Sequence, residues 1–82
     1  MNATTEPAPV IVYTKPGCVQ CNATTRELRK RGVTHEVRDV TRDNAAYERV
    51  IGLGYQQAPV VEAGPRHWSG FRPDLIQALS RS

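Results

Sequence analysis

The stretch VIVYTKPGCVQC, residues 10–21, decides how this chain folds. Residues 10–13 are continuously apolar, which is typical of a strand covered on both faces, and residues 14–17 end it with turn-forming side chains. A helical pattern follows over residues 22–31 and stops at Gly32. The two cysteines, the only ones among 82 residues, therefore lie where a strand gives way to a helix.

The spacing of Cys18 and Cys21 has a chemical reason. A cysteine at a helix N-terminus meets unpaired backbone N–H groups and the positive end of the helix dipole, and both favour its thiolate. The second cysteine lies one turn further on, close enough to form a disulfide with the first. A Cys-x-x-Cys pair beside a βαβ pattern is typical of thioredoxin-like redox proteins. We expect Cys18 to attack a disulfide and Cys21 to resolve the mixed disulfide.

Strands and helices alternate along the rest of the chain. The predicted elements after the first helix are a strand at 33–40, a helix at 44–53, strands at 60–63 and 66–69, and a helix at 73–79. The strand at 33–40 carries charges on both faces, which is typical of a sheet edge. A crossover makes the first two strands parallel, whereas the last two form a hairpin. The order β-α-β-α-β-β-α predicts an α/β fold with a four-stranded mixed sheet and three helices.

Helical spacing also predicts which side chains face inward. The predicted set is Cys21, Thr24 and Leu28 on the first helix, Ala46 or Tyr47 with Val50 and Ile51 on the second, and Leu75, Ile76 and Leu79 on the third. We further expect Tyr13 to pack in the core and Tyr55 to lie beside the cysteine site.

Composition limits the classes of function. Lys and Arg number 11 and Asp and Glu 8, giving a net charge of +3 without any block of like charge, which argues against nucleic-acid binding. No apolar run is long enough to span a membrane, and no signal-peptide pattern is present, so we expect a cytoplasmic protein. Residues 1–9 are predicted to be a flexible leader, and residues 10–82 a single domain. In a reducing compartment a lone cysteine pair is more often catalytic or metal-binding than structural.

Three further segments carry a resemblance to a known family. Lys15-Pro16-Gly17 precedes the cysteines, Ala58-Pro59 precedes the hairpin, and WSGFRPD at residues 68–74 follows it. Together with CVQC, these segments resemble the NrdH-type redoxins of the thioredoxin/glutaredoxin fold. The resemblance implies a monomeric dithiol–disulfide oxidoreductase that needs no cofactor. Its partners would be NADPH-linked thioredoxin reductase as electron donor and, as acceptor, the C-terminal cysteines of the class Ib ribonucleotide reductase large subunit.

The same resemblance indicates a partner surface around Cys18. Pro59 matches a proline that is cis in this fold and faces the cysteines. The candidate rim residues are Lys15, Val19, Gln20, Ala58, Pro59, Trp68, Ser69, Gly70, Phe71 and Arg72. Glutaredoxins hold glutathione partly through a Gly-Gly step before a helix that carries an acidic residue. Here Phe71 replaces the second glycine ahead of Asp74, so we expect glutathione to bind poorly.

Other interpretations of the cysteine pair stay open. A structural disulfide across so few residues would constrain the unfolded chain little. Half of a zinc site, or of an iron–sulfur cluster shared between two chains, would need more ligands, and His35 and His67 are predicted to lie away from the first helix. The alternative functions are a glutathione-dependent glutaredoxin and a non-catalytic module that docks partners or assembles clusters.

Overall fold

Four strands and three helices form within residues 9–79, which are the residues that the computed structural model describes. The strands are β1 (Val10–Thr14), β2 (Glu36–Asp39), β3 (Val60–Ala63) and β4 (Arg66–Ser69), and the helices are α1 (Val19–Lys30), α2 (Asn44–Gly52) and α3 (Pro73–Leu79). The predicted order of elements is confirmed. Residues 1–8 of the predicted leader lie outside the described residues.

The strands form one mixed sheet in the order β2-β1-β3-β4. β1 is parallel to β2 and antiparallel to β3, and β4 is antiparallel to β3. The charged strand β2 therefore lies at an edge, as its pattern predicts. In the register of β1 and β3, Tyr13 lies opposite Val60. This register brings the cysteine loop after β1 next to the Ala58-Pro59 loop before β3.

Two apolar clusters cover the two faces of the sheet. The first contains Val10, Val12, Leu28, Val61, Ala63, Trp68 and Ile76, and the second contains Tyr13, Ala46, Val50 and Val60. Successive side chains of a strand point to opposite faces, so Val12 and Tyr13 belong to different clusters. The continuous apolar run of β1 thus reflects a strand that is buried on both sides.

Two element boundaries differ from the predicted ones. α1 begins at Val19 rather than at residue 22, because Cys18 is itself the N-cap residue and the helix starts between the cysteines. β2 begins at Glu36 rather than at residue 33. Gly32 has a φ of 71°, and the Val33 N–H donates to the Leu28 carbonyl at 2.9 Å. These residues therefore complete the end of α1, and the pairing of β2 with β1 begins only after them.

Burial on α2 corrects part of the predicted inward-facing set. Ala46 and Val50 are buried, whereas Tyr47 and Ile51 are 51% and 48% exposed. On this short helix only the i, i+4 pair Ala46 and Val50 faces the sheet, so Ala46 rather than Tyr47 is the inward-facing residue and the prediction for Ile51 is wrong. On α1 the predicted set of Cys21, Thr24 and Leu28 is confirmed. None of the helices in the described part of the chain is both long and apolar enough to cross a membrane.

Candidate active site

The cysteine pair lies at the N-terminus of α1 as a Cys18–Cys21 disulfide. The Cys18 Sγ accepts a hydrogen bond from the Cys21 backbone N–H, with 3.1 Å between nitrogen and sulfur. Cys18 is 9% exposed and Cys21 is 2% exposed. A sulfur that faces the N–H groups of a helix N-terminus lies where a thiolate is stabilised once the disulfide is reduced. Cys18 is thus both the capping sulfur and the more accessible one.

The loop before β3 closes the site from the side of the sheet. The Ala58-Pro59 peptide bond is cis, and the Pro59 side chain is buried. The Gly70 N–H donates to the Pro59 carbonyl at 2.8 Å, so the end of β4 is joined to this loop by a backbone hydrogen bond. Ala58 is half-buried beside Pro59. The loop and the end of β4 therefore form one connected wall.

Gln20 connects the cysteine motif to the segment that follows β4. Its Oε1 accepts a hydrogen bond from the Phe71 N–H at 3.1 Å, across 51 positions of sequence. Gly70 beside it has a φ of +85°, a conformation that favours glycine. Gln20 was a candidate rim residue on sequence grounds, but no sequence pattern indicated this contact, because any exposed polar residue fits position 20 equally well.

The start of α3 carries an ion pair between Arg72 and Asp74. The guanidinium donates from Nε to Oδ1 at 3.2 Å and from Nη2 to Oδ2 at 3.0 Å. This hydrogen bonding holds the pKa of the Asp74 carboxyl below its usual value. Asp74 is the acidic residue expected next to glutathione in glutaredoxins, and here it is already paired.

The candidate rim residues differ in exposure. Lys15, Val19, Gln20 and Arg72 are exposed, Ala58, Ser69, Gly70 and Phe71 are half-buried, and Pro59 and Trp68 are buried. The expectation that Trp68 belongs to the rim is therefore corrected. Trp68 pairs with Val61 on the face that α1 and α3 cover, and it is 7% exposed within that cluster. Phe71 also packs partly against the same cluster.

A groove of about 340 Å³ opens beside the cysteine loop, on the α2 face of the sheet. Its lining includes Lys15, Val40, Tyr47, Ile51, Gln57 and Ala58. The exposed apolar side chains of α2 form part of its wall, so the residues wrongly predicted to face the core belong to this groove instead. Tyr55, which we expect beside the site, has its hydroxyl 2.8 Å from the His67 Nδ1 on β4 and does not line the groove.

A polar cluster shares Tyr13 with the groove. The Tyr13 hydroxyl donates to Glu62 Oε1 at 2.9 Å, and Arg49 forms an ion pair with the same carboxylate. Hydrogen bonding from Arg49, with a smaller contribution from Tyr13, lowers the pKa of Glu62, whereas burial raises the pKa of Tyr13. Within residues 9–79, no group of three or more His, Cys, Asp and Glu side chains is arranged to hold a metal ion.

The fold and the cysteine pair define a protein of the thioredoxin-fold class, and its Cys-x-x-Cys site is of the kind that is redox-active in such proteins. Residues 10–68 match the family model of glutaredoxin. The glutaredoxin-like protein NrdH of Escherichia coli (strain K12) is 46% identical over 70 residues, which are 85% of this chain and 86% of that protein. The glutaredoxin-like protein NrdH of Lactococcus lactis subsp. lactis is 30% identical over 71 residues, 87% of this chain and 99% of that protein.

Solved structures agree with these relatives. The NrdH-redoxin from Escherichia coli, a glutaredoxin-like protein with a thioredoxin-like activity profile, superposes with a TM-score of 0.82 at 45% identity over 87% of this chain and 93% of that chain. A glutaredoxin from Archaeoglobus fulgidus superposes with a TM-score of 0.75 at 25% identity over 92% of this chain and 88% of that chain. The chain belongs to the glutaredoxin family and, within it, to the NrdH glutaredoxin-like proteins.

Proposed function

We propose that this protein is a dithiol–disulfide electron carrier, which takes electrons from NADPH-linked thioredoxin reductase and passes them to class Ib ribonucleotide reductase. The observation that carries the chemistry is the Cys18 Sγ, held at the N-cap of α1 against the Cys21 N–H. The likeness to NrdH proteins over most of the chain supports the choice of partners.

The reaction uses the two sulfurs in turn. In the reduced protein the Cys18 thiolate attacks one sulfur of the partner disulfide, and the other partner sulfur leaves and takes a proton. Cys21, as thiolate, then attacks the Cys18 sulfur, and the bond between Cys18 and the partner breaks. The second partner sulfur leaves and is protonated. Two electrons and two protons reach the partner, and the Cys18–Cys21 disulfide remains for thioredoxin reductase to reduce.

The partner segment binds between the cis-proline loop and the groove. An extended chain next to Cys18 pairs with the backbone of Ala58, as in the addition of a strand to a sheet. The exposed side chains of Tyr47 and Ile51 then offer apolar surface to the partner. Exposed aromatic and aliphatic side chains beside a reactive group are typical of a binding surface.

Glutathione is a poor reductant of this protein, because the groups that would hold it are already paired. The Gly70 N–H bonds to Pro59, the Phe71 N–H to Gln20, and the Asp74 carboxylate to Arg72. Each polar group left without a partner in forming a complex costs about 1–3 kcal/mol. Two such losses, about 2–6 kcal/mol together, reduce affinity by about thirty-fold or more.

The choice of electron donor tests this proposal. Oxidised protein with thioredoxin reductase should support continuous NADPH consumption in the presence of a disulfide acceptor. With glutathione and glutathione reductase at the same protein concentration, the rate should be lower by about a hundred-fold. A rate in the glutathione system equal to that with thioredoxin reductase makes the protein a glutathione-dependent glutaredoxin.

The acceptor is tested by trapping. A Cys21→Ser variant attacks but cannot resolve, so it should remain joined by a disulfide to the large subunit of class Ib ribonucleotide reductase. A Cys18→Ser variant is the matched control and should not be trapped. A protein that neither forms this adduct nor accelerates the reduction of insulin by dithiothreitol is a non-catalytic module.

A further inference from the structure

The positive charge that has no ion-pair partner is concentrated on α1. Every carboxylate of residues 9–79 has a hydrogen-bonding partner, as Glu27–Arg31, Glu36–Arg38, Asp39–Thr41, Asp43–Ala46, Glu48–Asn44, Glu62–Arg49 and Asp74–Arg72. The cations of the same residues that are in no ion pair are Lys15, Arg26, Arg29, Lys30 and Arg66. Arg26, Arg29 and Lys30, called the basic stripe below, are all exposed on one helix.

The row of α1 that contains Arg26 and Lys30 begins at Val19, directly after the attacking cysteine. Cys21, Thr24 and Leu28 are the buried residues of α1, and at 3.6 residues per turn the row of Val19, Arg26 and Lys30 lies on the opposite, outer face. Val19, directly after Cys18, is 81% exposed. At about 1.5 Å per residue, the row runs roughly 16 Å down the helix from the active-site end.

Helix stability explains only part of this arrangement. Arg29 and Lys30 lie in the last turn of α1, where positive charge complements the helix dipole. Arg26 lies in the middle of the helix, four positions before Lys30, and like charges at that spacing destabilise a helix. The acidic neighbour Glu27 does not compensate them, because its carboxylate is bound by Arg31. The basic stripe therefore lacks a full explanation in the fold itself.

We propose that the basic stripe binds an acidic polypeptide segment adjoining the disulfide that Cys18 attacks. An extended chain advances about 3.3 Å per residue, so about five residues reach from the active-site end to Lys30. Acidic side chains within about five positions of the partner cysteine thus lie over the stripe. Two cations in one row with an exposed valine, a third cation to one side and no aromatic side chain among them suit an acidic peptide better than single-stranded nucleic acid, which also stacks on aromatic rings. The inference rests on the proposed function, since it names the class of substrate for the same site.

Rates with matched substrates test the stripe. Three disulfide-bearing peptides, with acidic, neutral or basic residues flanking the cysteine, are reduced by the wild-type protein at low ionic strength. The acidic peptide should react about tenfold faster than the neutral one, and the basic one more slowly, with the difference disappearing at high salt. In the double variant Arg26→Gln/Lys30→Gln this preference for the acidic peptide should disappear, while the rate with the neutral peptide stays within twofold.

The control variant is Arg66→Glu, which lowers the net charge by two, as the double variant does, but on β4. It should retain most of the preference for the acidic peptide. If both variants lose the preference for the acidic peptide equally, the preference comes from the total charge of the protein, and the basic stripe is overturned as a site. If the double variant loses rate equally with the acidic and the neutral peptide, the basic stripe is also overturned as a site, because the substitutions then act on the cysteines or on the fold. The thermal unfolding midpoint of the variant distinguishes these two causes.

Binding without reaction separates this inference from the proposed function. The acidic peptide with serine in place of cysteine should bind wild-type protein in fluorescence anisotropy, and the double variant should bind it about tenfold more weakly. This result supports the stripe even if no peptide is reduced, in which case the electron-carrier function fails. Absence of binding overturns the stripe, and tighter binding of a single-stranded oligonucleotide than of the peptide would assign it to nucleic acid.

Discussion

At Cys18, one backbone hydrogen bond serves both structure and chemistry. The same Sγ that caps α1 through the Cys21 N–H belongs to the more exposed of the two cysteines. A thiolate gains more from such a bond than a neutral thiol does, because charge-assisted hydrogen bonds are the stronger ones. In the proposed mechanism, the residue that resolves the mixed disulfide thus also helps to activate the residue that forms it.

The two thiols should therefore differ in alkylation. Brief treatment of the fully reduced protein with iodoacetamide should label Cys18 at least tenfold faster than Cys21, because Cys18 is more exposed and has the helix N-terminus to stabilise its thiolate. Mass spectrometry of the peptides measures the ratio. Unfolded protein is the control and should label both at similar rates. Faster labelling of Cys21 in the folded protein reverses the proposed roles.

Glu62 should control part of the acid sensitivity of the fold. Its pKa is lowered in the folded chain by hydrogen bonding from Arg49, so the stability that it provides is present above the ordinary pKa of about 4.5 and is lost as the pH falls through the lowered value. Glu62→Gln should destabilise the protein by about 1 kcal/mol at pH 7 and reduce the further loss below pH 4.5. Urea unfolding at pH 7 and pH 3 measures both.

Two variants complete this test. Tyr13→Phe removes the hydroxyl that donates to Glu62 and should lower the unfolding free energy at pH 7 by about 1 kcal/mol. Glu48→Gln is the control, since its carboxylate contacts only an exposed Asn44 amide at 3.4 Å and should change little. If Glu62→Gln retains the full acid dependence of the wild type, other carboxylates are responsible.

At the scale of the elements, the sequence predicts the strands and helices whose positions depend on strong local signals. The apolar run of β1, the turn residues around the hairpin and Pro73 at the start of α3 place their elements correctly. The cysteine spacing correctly places Cys18 at the N-terminus of α1, but the helical pattern is recognised only from residue 22, because a cysteine as N-cap is not among the residues that usually mark a helix start. The exposure of Tyr47 and Ile51 is missed because periodicity cannot tell how wide a stripe the sheet covers. Burial of Trp68 depends on strand register, which no local pattern fixes.

The Gln20 contact is the element-scale feature that most needs a test. In a Gln20→Ala variant the Phe71 N–H loses its acceptor, so its hydrogen exchange measured by NMR should accelerate by about tenfold, with a stability loss of roughly 1 kcal/mol. Gln57→Ala, at an exposed glutamine of the groove, is the control and should leave this amide unchanged. Unchanged exchange in the Gln20 variant means that the segment after β4 is held without that bond.

At the scale of the whole molecule, the groove on the α2 face should distinguish protein partners from small disulfides. Replacing Tyr47 and Ile51 together by Ala should lower kcat/KM with thioredoxin reductase by about tenfold, because two exposed apolar contacts of a protein interface are lost. The rate with a small linear disulfide such as hydroxyethyl disulfide should stay within twofold. Steady-state kinetics with both substrates measure the difference.

The control for the groove is Val37→Ala. Val37 is 50% exposed on the edge strand β2 and lies outside the groove, so its truncation should affect neither rate. A loss confined to the small disulfide, or shared equally by both substrates, would mean that Tyr47 and Ile51 support the fold rather than the partner surface.

The central pairing of β1 with β3 has a consequence for how the protein is made. Tyr13 and Glu62 are 49 positions apart, and Gln20 and Phe71 are 51 apart. During synthesis both cysteines are made before Pro59 and β3. Because a loop this long must close before these contacts can form, the site around Cys18 is complete only once β3 and the segment after β4 have been made. The hydrogen bond that caps α1 at Cys18 spans only three positions and needs none of these later residues.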